Sequence, residues 1–111
     1  MNDVIDVSRI RALNDALRHS LTGGVLMMTR GVIALGLARQ LRILEAVAAF
    51  DAFDPDNDPY GEHDFGALEV EGERILFKIE YFDRALTGHS PDPADPSVTT
   101  RVLTIMLGEE Y

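Results

Sequence analysis

An α+β domain, with two helices packed on one face of a small and mostly antiparallel sheet, is what this sequence predicts. Three observations lead there. The stretches 8–20 and 37–50 place apolar residues at helical spacing. The stretch 64–83 alternates in polarity about a Glu71-Gly72 turn, as a hairpin does. The segment 98–107 is dense in β-branched residues and alternates, which favours a strand over a helix started at Asp95-Pro96. The chain order is then α-β-α-β-β-β in one domain over 1–111, with helices covering one sheet face.

The first helix is expected over Ser8 to Ser20, where Ile10, Leu13 and Leu17 form a single stripe. Ser8 or Asp6 caps its start, Gly23-Gly24 ends it, and Arg9, Arg11 and Arg18 sit off the stripe. Val25 to Arg30 is apolar enough to be a strand buried on both faces. Gly31 and Gly36 then flank a turn-like piece. The second helix, Leu37 to Phe50, has a stripe of Leu37, Leu41, Leu44 and Ala48, widened by Ile43, Val47 and Phe50, with Arg39 and Arg42 facing outward.

Pro55 and Pro59 forbid regular structure in 54–62, where Asp and Asn favour turns. The hairpin register about Glu71-Gly72 sets Leu68 opposite Ile75, Gly66 opposite Phe77 and Asp64 opposite Ile79. Gly66 thereby makes room for Phe77, and Glu69 meets Arg74 as a favourable cross-strand pair. The same register brings His63 toward Glu80. Leu86 to Asp95 is a second loop. In the last strand Val102, Thr104 and Met106 share one face, and Leu103, Ile105 and Leu107 the other.

Hydrophobic residues at 46% and charged residues at 26% are ordinary for a globular chain and too apolar for a disordered one. The absence of cysteine excludes disulfides, thiol catalysis and thiolate zinc sites. Asp3 and Asp6 stand where the basic region of a secretion signal belongs, and no apolar run approaches a membrane span. A cytoplasmic protein without membrane contact is the expectation.

The net charge of −9 is unevenly placed. Six Arg against four acids give residues 1–50 a charge of +2, and fifteen acids against four bases give 51–111 a charge of −11. Nine carboxylates and no Lys or Arg lie between Asp51 and Glu73. Phosphate repulsion argues against direct nucleic-acid binding, and the same charge suits a basic protein surface or a cation.

Within that run Asp54, Asp56 and Asp58 have the 1-3-5 spacing of a calcium loop, but Pro59 replaces the required Gly and Phe65 the bidentate Glu. A looser Mg²⁺ or Ca²⁺ site would use Asp56, Asp58, Glu62, His63 and Asp64. Against it stands a solvated loop whose Asp side chains cap its own turns. His63, between Glu62 and Asp64, is an acid/base candidate if a partner orients it. No serine lies in a nucleophile elbow and no glycine pattern spells a phosphate loop, so no catalytic residue is assigned. As a surface, Asp54, Asp56, Asp58, Glu62, Glu71 and Glu73 carry the charge expected to lack an internal partner, and they form the candidate partner-binding set.

The segments DNDPYGEHDFG (56–66), VEGERILFKIEYFD (70–83) and SPDPADPSVTTRVLTIMLGEEY (90–111), preceded by RIRALNDALR and MTRGV, resemble a bacterial family known as domain of unknown function 3768. The resemblance covers nearly the whole chain. It implies an accessory protein of a plasmid, phage or other mobile element, of the kind that travels with anti-defence genes, and it supplies no activity, cofactor or catalytic residue.

Charge and resemblance together point to a small acidic interaction protein without cofactor. It would bind a basic protein surface, such as a nucleic-acid-binding host defence protein, by mimicking DNA as anti-CRISPR and anti-restriction inhibitors do. A divalent-metal-binding domain or metal-dependent enzyme on the loop 54–66 is the alternative, and a homo-oligomer using an apolar face is the third reading.

Overall fold

The computed structural model describes residues 6–111. Helix α1 spans Val7–Ser20, strand β1 Val25–Met28, helix α2 Arg30–Ala34 and helix α3 Leu37–Ala49. Strands β2 (Phe65–Val70), β3 (Glu73–Phe82) and β4 (Thr100–Leu107) follow, with 3₁₀ turns at Pro96–Val98 and Gly108–Glu110. The sheet order is β1-β4-β3-β2. β1 runs parallel to β4, and the other pairs are antiparallel. The fold is thus α+β with a mostly antiparallel sheet. Among the described residues there are three helices, where two were expected, because the piece between Gly31 and Gly36 winds into α2.

The hairpin has the expected register, with Leu68 opposite Ile75, Gly66 opposite Phe77 and Glu69 opposite Arg74. Its turn needs two residues at positive φ, and Glu71 (51°) and Gly72 (85°) supply them. β4 is a strand, paired with β3 over eight positions from Thr100 to Leu107. Ile75, Phe77 and Ile79 on β3, with Leu103 and Ile105 on β4, turn one sheet face to Leu17 of α1, Val32 of α2, and Ile43 and Val47 of α3. These side chains are almost wholly buried, and each contributes about 1.5–3 kcal/mol of transfer free energy.

Asp6 caps α1, its carboxylate accepting from the Arg9 amide at 3.1 Å. The helix ends at Leu21, in left-handed conformation (φ 55°), two residues before the glycine pair expected to stop it. The Glu110 carboxylate ties the far end of the chain to α2. It accepts from the Thr29 hydroxyl at 2.5 Å and the Gly31 amide at 2.9 Å.

Two expectations are corrected by burial. β1 is an edge strand, not a strand covered on both faces. Among the described residues it pairs only with β4, and Val25 and Met27 are 44% and 52% exposed. On α3 the buried stripe is Ile43 and Val47, whereas Leu37 (70%) and Leu41 (51%) lie in solvent. Both segments had enough apolar residues for two faces, and the neighbours that were available decided which face was covered. No helix among the described residues is long and apolar enough to cross a membrane.

A Cβ at Gly66 would run into the Phe77 ring and sit 2.9 Å from Phe50. Gly66→Ala is therefore expected to destabilise the fold by about 1–3 kcal/mol in urea denaturation, and an unchanged midpoint would contradict this packing.

Candidate functional site

Of the arginines expected off the stripe of α1, Arg18 is buried, Arg11 half-buried and Arg9 exposed, yet each donates to a backbone carbonyl elsewhere in the fold. Arg18 is 4% exposed, and its Nη1 donates to the carbonyls of Val47 (2.8 Å) and Phe50 (2.7 Å). It thereby satisfies the free carbonyls at the C-terminal end of α3, where a cation also complements the helix dipole. Its Nη2 reaches Asp15 at 3.0 Å, and the guanidinium lies 5.2 Å from the Phe53 ring centroid. Arg11 Nε donates to the Gly61 carbonyl at 2.6 Å, and Asn14 Nδ2 to the Glu62 carbonyl at 2.9 Å. Arg9 Nε donates to the Ala94 carbonyl at 2.7 Å. One helix thus holds the end of α3 and both long loops.

Behind these contacts lies a buried chain of side chains. Arg101 is 2% exposed and Asn14 0%. Arg101 Nε donates to Asn14 Oδ1 at 2.6 Å, and its Nη2 donates to the Pro93 carbonyl. Asn14 Nδ2 also donates to the Tyr81 hydroxyl at 2.8 Å, and that hydroxyl donates to Glu62 Oε1 at 2.6 Å. Burial, then the hydrogen bond to Glu62, pushes the Tyr81 hydroxyl far above its ordinary value, so it stays a donor. Burial pulls Arg101 below its ordinary value, but a guanidinium remains protonated at any working pH.

The outer end of this chain opens into a cleft of about 810 Å³. Asp6, Arg9, Ile10, Glu62 and Tyr81 line one side, and the run Pro91 to Asp95 the other. Three of its carboxylates serve local turns. Asp6 caps α1, Asp92 accepts from the Ala94 amide at 3.1 Å, and Asp95 accepts from the Ser97 amide at 2.9 Å. Glu62 differs, because its partner is a side chain from the sheet.

The acidic loop divides by role. Asp54 accepts from the amides of Asp56 (2.8 Å) and Asn57 (3.0 Å), capping its own turn. Asp56 is exposed. Asp58 is 7% exposed and accepts from the amides of Glu62 (3.0 Å) and His63 (3.2 Å). His63 does not meet Glu80, which lies instead 3.4 Å from Lys78. His63 has a positive φ of 57°, which turns its ring back toward α1. The ring stacks on Phe53 at 3.9 Å, and Nδ1 lies 2.9 Å from Asp15 Oδ1. Among the described residues no three His, Asp or Glu side chains gather in a way that would hold a metal ion.

The hairpin tip also differs from expectation. Glu71 is answered by α3, with Arg42 Nε at 2.8 Å and Arg39 Nε at 3.7 Å, so its charge has internal partners. Glu73 is half-buried at the first position of β3. Asn14, Tyr81 and Arg101 were missed as site residues, yet each carried a signal. Asn14 interrupts the apolar stripe between Ile10 and Leu17, and Arg101 and Tyr81 occupy core-facing strand positions. A polar group on an apolar face implies a buried partner.

An α+β domain whose loops are gripped by one helix, beside a cleft closed by a Tyr–Glu pair, is the class the geometry defines. Residues 28–110 match the family model described as Protein of unknown function (DUF3768), and the chain belongs to that family. The match starts at the end of β1, so Arg9, Arg11 and Asn14 lie outside it. No curated protein and no solved structure matches the chain.

Arg101→Met strands the Asn14 and Pro93 oxygens without their buried donor. It is expected to cost about 3 kcal/mol in chemical denaturation, and a loss below about 1 kcal/mol would contradict the network. Asp64 supplies a pH test. Burial first, then the Glu62 charge, raises its carboxyl above the ordinary 3.8. The native state therefore holds this proton more tightly than the unfolded chain. The resulting stability is present below 3.8 and is lost as pH rises through the raised native value. Asp64→Asn should melt above wild type at about pH 7, with the gap closing as the pH falls. A gap independent of pH would refute this origin.

Proposed function

We propose that this protein is a small acidic interaction protein that binds a basic protein surface by occupancy, without chemistry of its own. The observation that supports this reading most is the cleft, whose lining holds the four carboxylates Asp6, Glu62, Asp92 and Asp95 against the single cation Arg9. The loop that carries Glu62 also presents exposed Asp51, Asp54 and Asp56 to solvent. Of the candidate set, Asp54, Asp56 and Glu62 are outward or cleft-facing. Asp58 and Glu71 contribute charge while serving the fold, and Glu73 is half-buried at the start of β3. A field of this sign attracts a basic partner and repels nucleic acid.

A bacterial accessory role on a mobile element, directed against a nucleic-acid-binding host defence protein in the cytoplasm, is the setting in which such a surface is useful. The partner would present to this protein the face that it normally offers to phosphates, and DNA would then compete for it.

The test is capture of partners from a host lysate on immobilised protein. A basic protein should be retained at about 0.05 M salt and released as salt rises through about 0.3 M, because exposed charges are screened over that range. Added duplex DNA should compete. A triple variant Asp54→Asn, Asp56→Asn, Glu62→Gln should retain roughly tenfold less while remaining folded by circular dichroism. Retention indifferent to both salt and the triple variant would overturn the reading.

A further inference from the structure

We infer that the Glu62 carboxylate is a receptor for one basic side chain, a guanidinium or ammonium on its aliphatic stem, which a partner inserts into the cleft between α1 and the 91–95 loop. The inference rests on the interaction reading above and names the contact that reading would use.

The number of acids is not what marks Glu62 out. Asp6, Asp92 and Asp95 are engaged by amides of their own turns. Glu62 is instead the end of a fixed relay. Its Oε1 accepts from Tyr81, Tyr81 accepts from Asn14, and Asn14 accepts from Arg101. The two inner members are 0% and 2% exposed, so the relay is anchored in the core. Tyr81 is further set by the Arg101 guanidinium, 5.1 Å from its ring centroid. A carboxylate oriented in this way loses little freedom on binding, which is the condition for selective recognition of a cation. Among the described residues Oε2 accepts no hydrogen bond, so one oxygen remains for a ligand.

The walls specify the rest. Pro91 and Pro93 present apolar surface around the polar end, and Ile10 and Ala94 lie buried behind them. A bare ion would leave that surface wet, whereas a Lys or Arg stem covers it while the head pairs with Glu62. A volume of about 810 Å³ lies within the usual range for ligand sites and exceeds one side chain, leaving room for flanking peptide. Arg9 is the cation in the lining, and its Nε is occupied by the Ala94 carbonyl at 2.7 Å.

The experiment is a ¹H–¹⁵N NMR titration of the full chain with three probes: an acetylated and amidated Ala-Arg-Ala peptide, its citrulline counterpart, and agmatine. The arginine peptide should give saturable shifts at the amides of Glu62, Tyr81 and Ala94. The uncharged citrulline peptide, and the arginine peptide on Glu62→Gln, should bind roughly tenfold more weakly or worse. Glu71→Gln, which alters a carboxylate paired with α3, should leave the titration unchanged.

Equal binding of the two peptides overturns the inference, and this comparison needs no variant to fold. Shifts confined to residues outside the cleft overturn it too. Agmatine carries the same head and stem, so saturable agmatine shifts at the same amides support the inference, and agmatine shifts there that survive Glu62→Gln overturn it. If the peptides fail while salt-sensitive capture of a basic protein persists, this inference falls and the interaction reading stands. If the arginine peptide binds at Glu62 while no basic protein is captured, the interaction reading falls instead.

Discussion

Side-chain donors reaching backbone carbonyls hold this protein together outside its sheet. Loops 51–64 and 83–99 are long, rich in proline and poor in regular structure, so many of their carbonyls have no ladder partner. Arg9, Arg11, Asn14 and Arg18 of α1, with Arg101 of β4, supply those partners. Arginine suits the task because its planar fork offers several donors and its charge strengthens each bond. Arg18 shows this best, bonding three carbonyls at the end of α3 and the Asp15 carboxylate while its guanidinium lies over the Phe53 ring.

This arrangement gives the uneven charge a physical meaning. The basic excess of the first half is spent largely inside the molecule, on the loops of the second half and on Glu71 of the hairpin. The acidic excess splits three ways. Some carboxylates cap turns, as Asp54, Asp92 and Asp95 do. Some brace buried groups, as Asp58 does for the backbone leading into His63. A remainder faces solvent or the cleft, and only that part is free to meet a partner. Counting charges along the chain overstates the last group, since most of the acids already have work within the fold.

The legible parts were the local ones. The hairpin register followed from a turn that needs positive φ, from Glu69 facing Arg74, and from the space that Gly66 leaves for Phe77. The strand character of 100–107 followed from β-branched alternation. By contrast, α3 had apolar residues around much of its circumference; periodicity put Leu37 and Leu41 on a core face widened by Ile43 and Val47, and packing buried only the latter two of these four. β1 was equally ambiguous, because an apolar run of four residues fits a central strand or an edge. His63 was assigned to the wrong neighbour because its left-handed backbone turns the ring away from the hairpin, and such a φ is not encoded in residue type.

Sequence by itself determined the α+β class, the two long helices and the strand segments though not α2, the hairpin with its register, and the place of the acidic run. Each depends on contacts between residues close in the chain or on a periodicity that a short window reveals. Tertiary structure alone decided the cleft and its relay. Asn14 and Arg101 are 87 positions apart, Asn14 and Tyr81 67, and Arg9 and Ala94 85. No local preference couples residues so distant. They meet because the sheet places β3 beside β4 and the hydrophobic core seats α1 across them, which leaves a buried arginine, asparagine and tyrosine to satisfy one another.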